Sequence, residues 1–287
     1  MPRQAYVNGR YVPHGAAAVH VEDRGYQFAD GVYEVIPVVQ GILVDEADHL
    51  DRLERSLDEL SIPMPMSRQG MRMISGELMR RNSLTNGFVY MQVTRGVAPR
   101  DHKFPKRARP SVVMTTRQMR PPSPEKLSEG VGVITVPDIR WKRCDIKSVS
   151  LLPNILAKQE AVNAGAYEAW QVDQDGCITE GTSTNAWIVT PEGELVTRHA
   201  NNAILNGITR ISLIKLAAKD GVRFVERPFT VAEAEGAREA FLTSSTNFVM
   251  PVTRIDGKPV GNGHPGILTT KLRQHYEDYV QSLKGQA

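Results

Sequence analysis

Five dipeptides ending in glycine punctuate the chain: Asn8-Gly9, Gln40-Gly41, Asp175-Gly176, Glu192-Gly193 and Asp256-Gly257. Each lies between short apolar-rich runs. A two-residue hairpin turn holds both central residues at positive φ, which Gly adopts freely and Asn or Asp more readily than most residues. The twist of such turns also matches that of the strands they join. The spacing therefore predicts hairpins in both halves of the chain and an architecture rich in antiparallel sheet. AYVNGRYV forms the first, and the alternation in VYEVIPVV ahead of Gln40-Gly41 predicts the second.

From Asp45 to Leu60 the period changes. Leu50, Leu53, Leu57 and Leu60 recur at helical spacing with charges between them, which predicts an amphipathic helix. Further helices are expected over Ser67 to Asn82, about Pro153 to Ala164, Ile208 to Asp220 closed by Gly221, and about Gly266 to Ser282. GFVYMQVTRG and SVVMTTRQ read as strands flanking the polar loop Val97 to Arg109, and further strands are expected near Val131 to Val136 and in FLTSS. RPPSPEKL, starting at Arg120, carries Pro121, Pro122 and Pro124, which disfavour helix, so a linker and domain boundary are placed there. The expected organisation is α+β in two domains, residues 1–120 and 121–287, in preference to a doubly wound parallel sheet.

Composition narrows the function classes. A chain of 287 residues with 41 % hydrophobic and 23 % charged residues is that of an ordinary soluble globular protein. The net charge of +3 and the lack of a dense basic run interleaved with aromatics argue against nucleic acid as a partner. No apolar stretch approaches the roughly 20 residues of a membrane helix, and MPRQAYVNG lacks a signal-peptide layout, so no membrane role and a cytoplasmic location are expected. Cys144 and Cys177 have no CxxC spacing, and no metal site is expected. GxxxxGK[ST] and HExxH are absent, and Gly130-Val131-Gly132 lacks the third glycine of a dinucleotide fingerprint.

Lys147, in DIRWKRCDIKSVSLL, is followed 33 positions later by Glu180 in TEGTSTN. A lysine amine can condense with the aldehyde of pyridoxal phosphate, and a carboxylate at the pyridine nitrogen keeps that nitrogen protonated and electron-withdrawing. Arg140, Lys142 and Arg143 precede the lysine, and like charges close to an amine favour its neutral, nucleophilic form. Either residue alone has a plainer explanation, a solvated surface cation or a turn carboxylate.

Six segments in one order carry a resemblance: EDRGYQFADGVYEV at 22–35, QVTRGVAPRDHKFP at 92–105, DIRWKRCDIKSVSLL at 138–152, TEGTSTN at 179–185, NNAILNGITR at 201–210 and FLTSST at 241–246. The chain resembles the fold-type IV pyridoxal-phosphate aminotransferases nearly end to end, most closely the bacterial D-amino acid branch. The resemblance implies an N-terminal antiparallel sheet with helices, a larger C-terminal α/β pseudo-barrel domain that binds the cofactor, and a homodimer. It assigns the cofactor to Lys147 and Glu180. The phosphate falls to Arg52, Gly207, Ile208, Thr209, Ser245 and Thr246, while Ser183 stands near the cofactor and Leu205 against its ring. Tyr33, Arg100 and His102 are implied as the grip on the substrate carboxylate, with R-x-H supplied across the dimer interface.

Each of these residues has a second explanation. Arg52 lies four positions after Asp48, a surface ion-pair spacing; Asn206-Gly207 with Thr209 reads as a turn and a helix cap; PRDH reads as a solvated loop. Small departures from the family pattern lie in the AD of QFADG, in TSTN and in Ser245, where threonine is common. The expected reaction is transamination between a D-amino acid such as D-alanine and a 2-oxo acid such as pyruvate or 2-oxoglutarate. A branched-chain L-amino acid aminotransferase, an aminodeoxychorismate lyase and a non-catalytic small-molecule sensor are the alternatives, and Arg100 with His102 separates the first two from the D-amino acid reading.

Overall fold

The computed structural model describes residues 3–285. Residues 1, 2, 286 and 287, which the sequence-based domain bounds include, lie outside the described residues. The chain divides into two compact units. One runs to Arg120 and takes in Ile146–Ser150; the other spans Pro121–Asp145 and continues from Leu151.

The first unit holds β1 (Gln4–Val7), β2 (Arg10–Pro13), α1 (Arg24–Phe28), β3 (Gly31–Val39), β4 (Ile42–Leu43), α2 (Glu46–Glu59), α3 (Arg68–Arg81), β5 (Gly87–Thr94) and β6 (Ser111–Gln118). Among the described residues these strands make a six-stranded sheet in the order β2-β1-β6-β5-β3-β4, antiparallel throughout. The turns at Asn8-Gly9 and Gln40-Gly41 have the positive φ that the sequence implied, 46° and 94° in the first and 51° and 82° in the second. Leu50, Leu53 and Leu57 of α2 pack with Val32 and Ile36 of β3 and Val89, Met91 and Val93 of β5. Ile146 joins the same core, which places the 146–150 segment in this unit. Ser67 caps α3, its side chain accepting from the Gly70 N–H.

The second unit holds α4 (Pro124–Glu129), β7 (Val131–Pro137), α5 (Leu152–Asn163), β8 (Glu168–Val172), β9 (Ile178–Gly181), β10 (Asn185–Val189), β11 (Leu195–Thr197), α6 (Ile208–Lys219), β12 (Phe224–Glu226), α7 (Val231–Glu235), β13 (Glu239–Ser244), β14 (Phe248–Ile255), β15 (Lys258–Pro259) and α8 (Ile267–Ser282). The described strands form a nine-stranded mixed sheet, ordered β12-β11-β10-β13-β14-β7-β8-β9, with β15 paired to β14. Hairpins join β8 to β9, β10 to β11 and β14 to β15, as the glycine dipeptides imply. β7 is parallel to both of its neighbours, and α5 supplies the crossover that its parallel pairing with β8 requires. Beyond β12, the Phe229 carbonyl accepts from the Ile178 N–H at 2.9 Å and Thr230 bridges Cys177, so the two ends of the strand path come together.

One expectation is overturned. The prolines of 120–127 do not exclude helix, because Pro124 occupies the first turn of α4, where no N–H is needed, and Ser123 caps it. Among the described residues no helix is long and apolar enough to cross a membrane.

Candidate active site

In the first unit, Lys147 is carried by a short segment laid along β3. Ser148 bridges Val32, the Tyr33 N–H donates to the Lys147 carbonyl at 3.0 Å, and the Lys147 N–H donates to Ser56 Oγ at 3.3 Å. These bonds fix the backbone and leave the side chain to lie over β3, with Nζ 4.3 Å from the centre of the Tyr33 ring. Tyr33 in turn stacks on Tyr90 at 5.7 Å, and burial pushes the Tyr90 hydroxyl up to about 12.

Glu34, next along β3, points to the opposite face and is completely buried. Arg52 Nε and Nη2 donate to its two oxygens at 2.7 and 2.8 Å, and His49 Nδ1 lies 2.7 Å from Oε2. Burial alone would raise the Glu34 carboxyl, but Arg52 and His49 hold it well below the usual carboxylate range. His49 is lowered, chiefly by burial and further by the charges of Arg52 and Lys147, against the pull of Glu34. A neutral His49 therefore donates from Nδ1 to an ionised Glu34. Arg52, read from sequence as a phosphate ligand or a partner of Asp48, has Glu34 as its ion-pair partner.

Arg100 and His102 are exposed and meet at Phe28, the guanidinium 4.7 Å from the ring centre and the imidazole 5.6 Å from it. Arg24 secures their loop. Its Nη1 donates to the Asp101 carbonyl at 2.6 Å while Nε pairs with Asp30 at 2.7 Å. The two site groups of this unit are thus Lys147 with Tyr33, and Arg100 with His102.

In the second unit, Glu180 lies next to the end of β9 with its carboxylate surrounded by donors. Arg140 Nη1 and Asn185 Nδ2 reach it, the latter at 3.0 Å, and the Leu205 N–H donates at 3.1 to 3.2 Å. Burial raises the Glu180 pKa, with Arg140 and Leu205 opposing. Asp138 behaves in the reverse sense, because two N–H groups of Arg140 outweigh its burial and hold it low. Arg140 is therefore engaged by two carboxylates, and Arg143 pairs with Asp145 at 3.0 Å. Two of the three cations that precede Lys147 in sequence are thus matched by carboxylates of their own unit.

Gly207 is the N-cap residue of α6 and Thr209 is the second residue of the helix, so Thr209 is not the cap. No side chain caps this helix, whose first N–H groups and dipole favour an anion. A Cβ at Gly207 would stand 2.2 Å from Asn185 Oδ1, so glycine is required there for space. Ile208 and Thr209 are buried and Leu205 is half-buried. Ser245 and Thr246 lie in the turn from β13 to β14, with Thr246 Oγ1 3.4 Å from Ser244 Oγ. Ser183 is exposed, its hydroxyl 3.5 Å from Glu168 Oε2, a buried carboxylate that also receives the Thr182 hydroxyl at 2.6 Å.

Residues 31–255 match the family described as amino-transferase class IV. The chain belongs to the class IV aminotransferases. This aminotransferase is 41 % identical over 275 residues to the D-alanine aminotransferase of Bacillus licheniformis, covering 96 % of each chain. It is 40 % identical over 279 residues to the D-alanine aminotransferase of Staphylococcus epidermidis, covering 97 % of this chain and 98 % of the relative. Among solved structures, the branched-chain amino acid aminotransferase of Escherichia coli superposes with a TM-score of 0.88 at 24 % identity, covering 96 % of this chain and 93 % of the other. That of Thermoproteus uzoniensis superposes with 0.86 at 25 %, covering 96 % and 94 %. The aminotransferase has the fold-type IV architecture.

Class IV aminotransferases work with pyridoxal phosphate, and the donor set of this chain fits it. Glu180 is a buried carboxylate with a raised proton affinity, suited to a ring nitrogen; the uncapped α6 terminus suits a phosphate; Lys147 offers an amine on a fixed backbone. Glu34, His49, Asp138, Arg140 and Asn185 were not singled out for these partnerships by sequence. Glu34 meets His49 and Arg52 from another element, and Arg140 meets Glu180 forty positions away, whereas Asp138 with Arg140, Asn185 with Glu180, and His49 with Arg52 on one face of α2 were local spacings that carried no motif. Glu180→Gln should lower kcat by about a hundredfold, the scale of losing one well-placed electrostatic group. Steady-state kinetics with an unchanged melting temperature would show it, and an unchanged kcat would contradict the role.

Proposed function

We propose that this aminotransferase transfers the amino group of a D-amino acid, D-alanine among them, to a 2-oxo acid such as pyruvate or 2-oxoglutarate. The observation that carries this reading is the pair of D-alanine aminotransferases at 40–41 % identity, each matched along 96–97 % of this chain. The likeness to the Escherichia coli branched-chain enzyme, at 24 % identity, speaks for the fold alone.

Bound pyridoxal phosphate would supply an electron sink for the substrate's α-carbon. Lys147 Nζ would hold the cofactor's aldehyde carbon and, once displaced by the substrate amine, take the proton from that α-carbon. In the return half with a 2-oxo acid it would give a proton back. Glu180 would keep the ring nitrogen protonated. Gly207, Ile208 and Thr209 would present the helix terminus to the phosphate, with Ser245, Thr246 and Arg52 as further phosphate ligands, Ser183 beside the cofactor and Leu205 against its ring. Tyr33 would bound the space around the amine.

Arg100 and His102 would bind the substrate carboxylate, where a guanidinium fork gives a strong charge-assisted contact. We infer a homodimer in which each copy offers this exposed loop to the other. The row Leu152, Ile155, Leu156 and Val162 on α5 supports it, since these side chains remain 50 to 66 % exposed while Ala157 and Ala161 of the same helix are buried. A cytoplasmic setting agrees with Cys144 and Cys177 standing as free thiols.

Arg100→Ala should reduce kcat/KM for D-alanine by about ten- to a hundredfold, the loss of one charged hydrogen-bonded contact, without lowering the melting temperature. Indifference of D-alanine turnover to this change would favour the branched-chain or lyase alternatives.

A further inference from the structure

We infer that Asp138 is a positioning residue that matches the charge of Arg140, leaving Glu180 with a negative charge for the cofactor's ring nitrogen. The inference rests on the proposal that Glu180 faces that nitrogen.

Arg140 grips Asp138 with the two-pronged side of its guanidinium, Nε to Oδ1 at 2.9 Å and Nη2 to Oδ2 at 2.7 Å. Only Nη1 turns to Glu180. Asp138 is fixed in that pose by the Thr179 hydroxyl at 2.7 Å and by the Arg140 N–H at 3.1 Å, while Nη2 of Arg140 also donates to the Ala203 carbonyl at 3.1 Å. The three side chains are almost wholly withdrawn from solvent, at 11, 5 and 8 % exposure for Asp138, Arg140 and Glu180.

Two carboxylates face one guanidinium, so with both ionised one negative charge is unmatched, and Asp138 joins burial in raising the proton affinity at Glu180. Among the described residues, the groups of this unit named as partners of the cluster do not cancel that charge. The Cys144 thiol, which interacts with all three, is pushed up to about 12 by burial and stays neutral, and Asp145 is committed to Arg143. Asn185 and the Leu205 N–H bring dipoles without charge. A buried, uncompensated charge is costly, and a protonated pyridine nitrogen on Glu180 would complete the balance. Were Arg140 to face Glu180 alone, that pair would already be neutral and protonation of the ring would gain little from it. Asp138 thus converts an ordinary ion pair into a site for a cationic ring.

The test compares dissociation constants of pyridoxal phosphate and 1-deazapyridoxal phosphate, whose ring carries carbon in place of nitrogen and cannot be protonated. Both keep the aldehyde for Lys147, so the ratio of constants reports the ring position alone. The wild type should favour pyridoxal phosphate by about tenfold or more, the scale on which a close opposite charge shifts a protonation equilibrium. Asp138→Asn should bring the ratio close to one, and Asp138→Glu, which restores the charge, should recover part of the preference. Asp138→Ser is a second neutral variant, with the same expected loss, should the asparagine protein not fold. A neutral variant that keeps the wild-type ratio overturns the inference, as does a wild type that binds both compounds equally. Glu180→Gln measured in parallel separates the two levels. If it loses the preference and Asp138→Asn keeps it, only the role of Asp138 fails; if it retains the preference, the proposed placement of Glu180 fails.

Discussion

Lys147→Ala should remain folded and lose transamination by about a thousandfold or more, since the change removes both the covalent attachment point and the general base. The expectation of a folded protein comes from how the residue is held. The main chain at Lys147 bonds to Tyr33 and Ser56, and Ile146 and Ser148 anchor the segment on either side. None of these contacts uses the amine. Lys147→Arg should be equally inactive, because a guanidinium keeps the charge but cannot condense with an aldehyde. Turnover of D-alanine, with circular dichroism as the fold control, checks both variants; a rate in Lys147→Ala within tenfold of wild type would remove the lysine from the chemistry.

Arg52→Leu should destabilise the protein by about 3–5 kcal/mol, the range for removing one partner of a buried ion pair. Glu34 is completely buried, and without Arg52 its charge would retain only the neutral His49 as a donor. The double variant Glu34→Gln/Arg52→Leu removes the stranded charge and should recover much of the loss, a coupling that a double-mutant cycle in denaturant would measure. If Arg52 also serves the phosphate, the double variant should regain stability without regaining cofactor affinity. The pH dependence follows from the same pair. A carboxyl held below its ordinary range contributes stability above that range and loses it as pH falls through its folded value. Wild-type stability should therefore include an acid-side loss that Glu34→Gln lacks. Additive single-variant losses would show that the two side chains do not depend on each other.

Much of the fold was legible because its instructions are local. Asn8-Gly9, Gln40-Gly41 and Asp256-Gly257 encode their own backbone angles, and Leu50, Leu53 and Leu57 encode the buried face of α2. Elements that depend on partners were not legible. α1 is five residues long and includes Gly25, and the parallel pairing of β7 with β14 joins residues about 120 positions apart. α7 carried a readable capping box in Thr230 and Glu233, but its five residues offer no helical period. The same division runs through the site. Lys147 and Glu180 stand out in motifs, whereas the pairing of Arg140 with Glu180, and of Arg52 with Glu34, is decided by which segments pack together. That is why three cations ahead of Lys147 looked alike in sequence and differ in the folded chain.

The most direct measurement is the visible spectrum of the protein loaded with pyridoxal phosphate, followed as D-alanine or, separately, L-alanine or L-leucine is added without a 2-oxo acid. The bound-cofactor absorption should bleach with D-alanine alone and return on addition of pyruvate. Bleaching by an L-amino acid alone, or no bleaching by any amino acid, would contradict D-amino acid transamination.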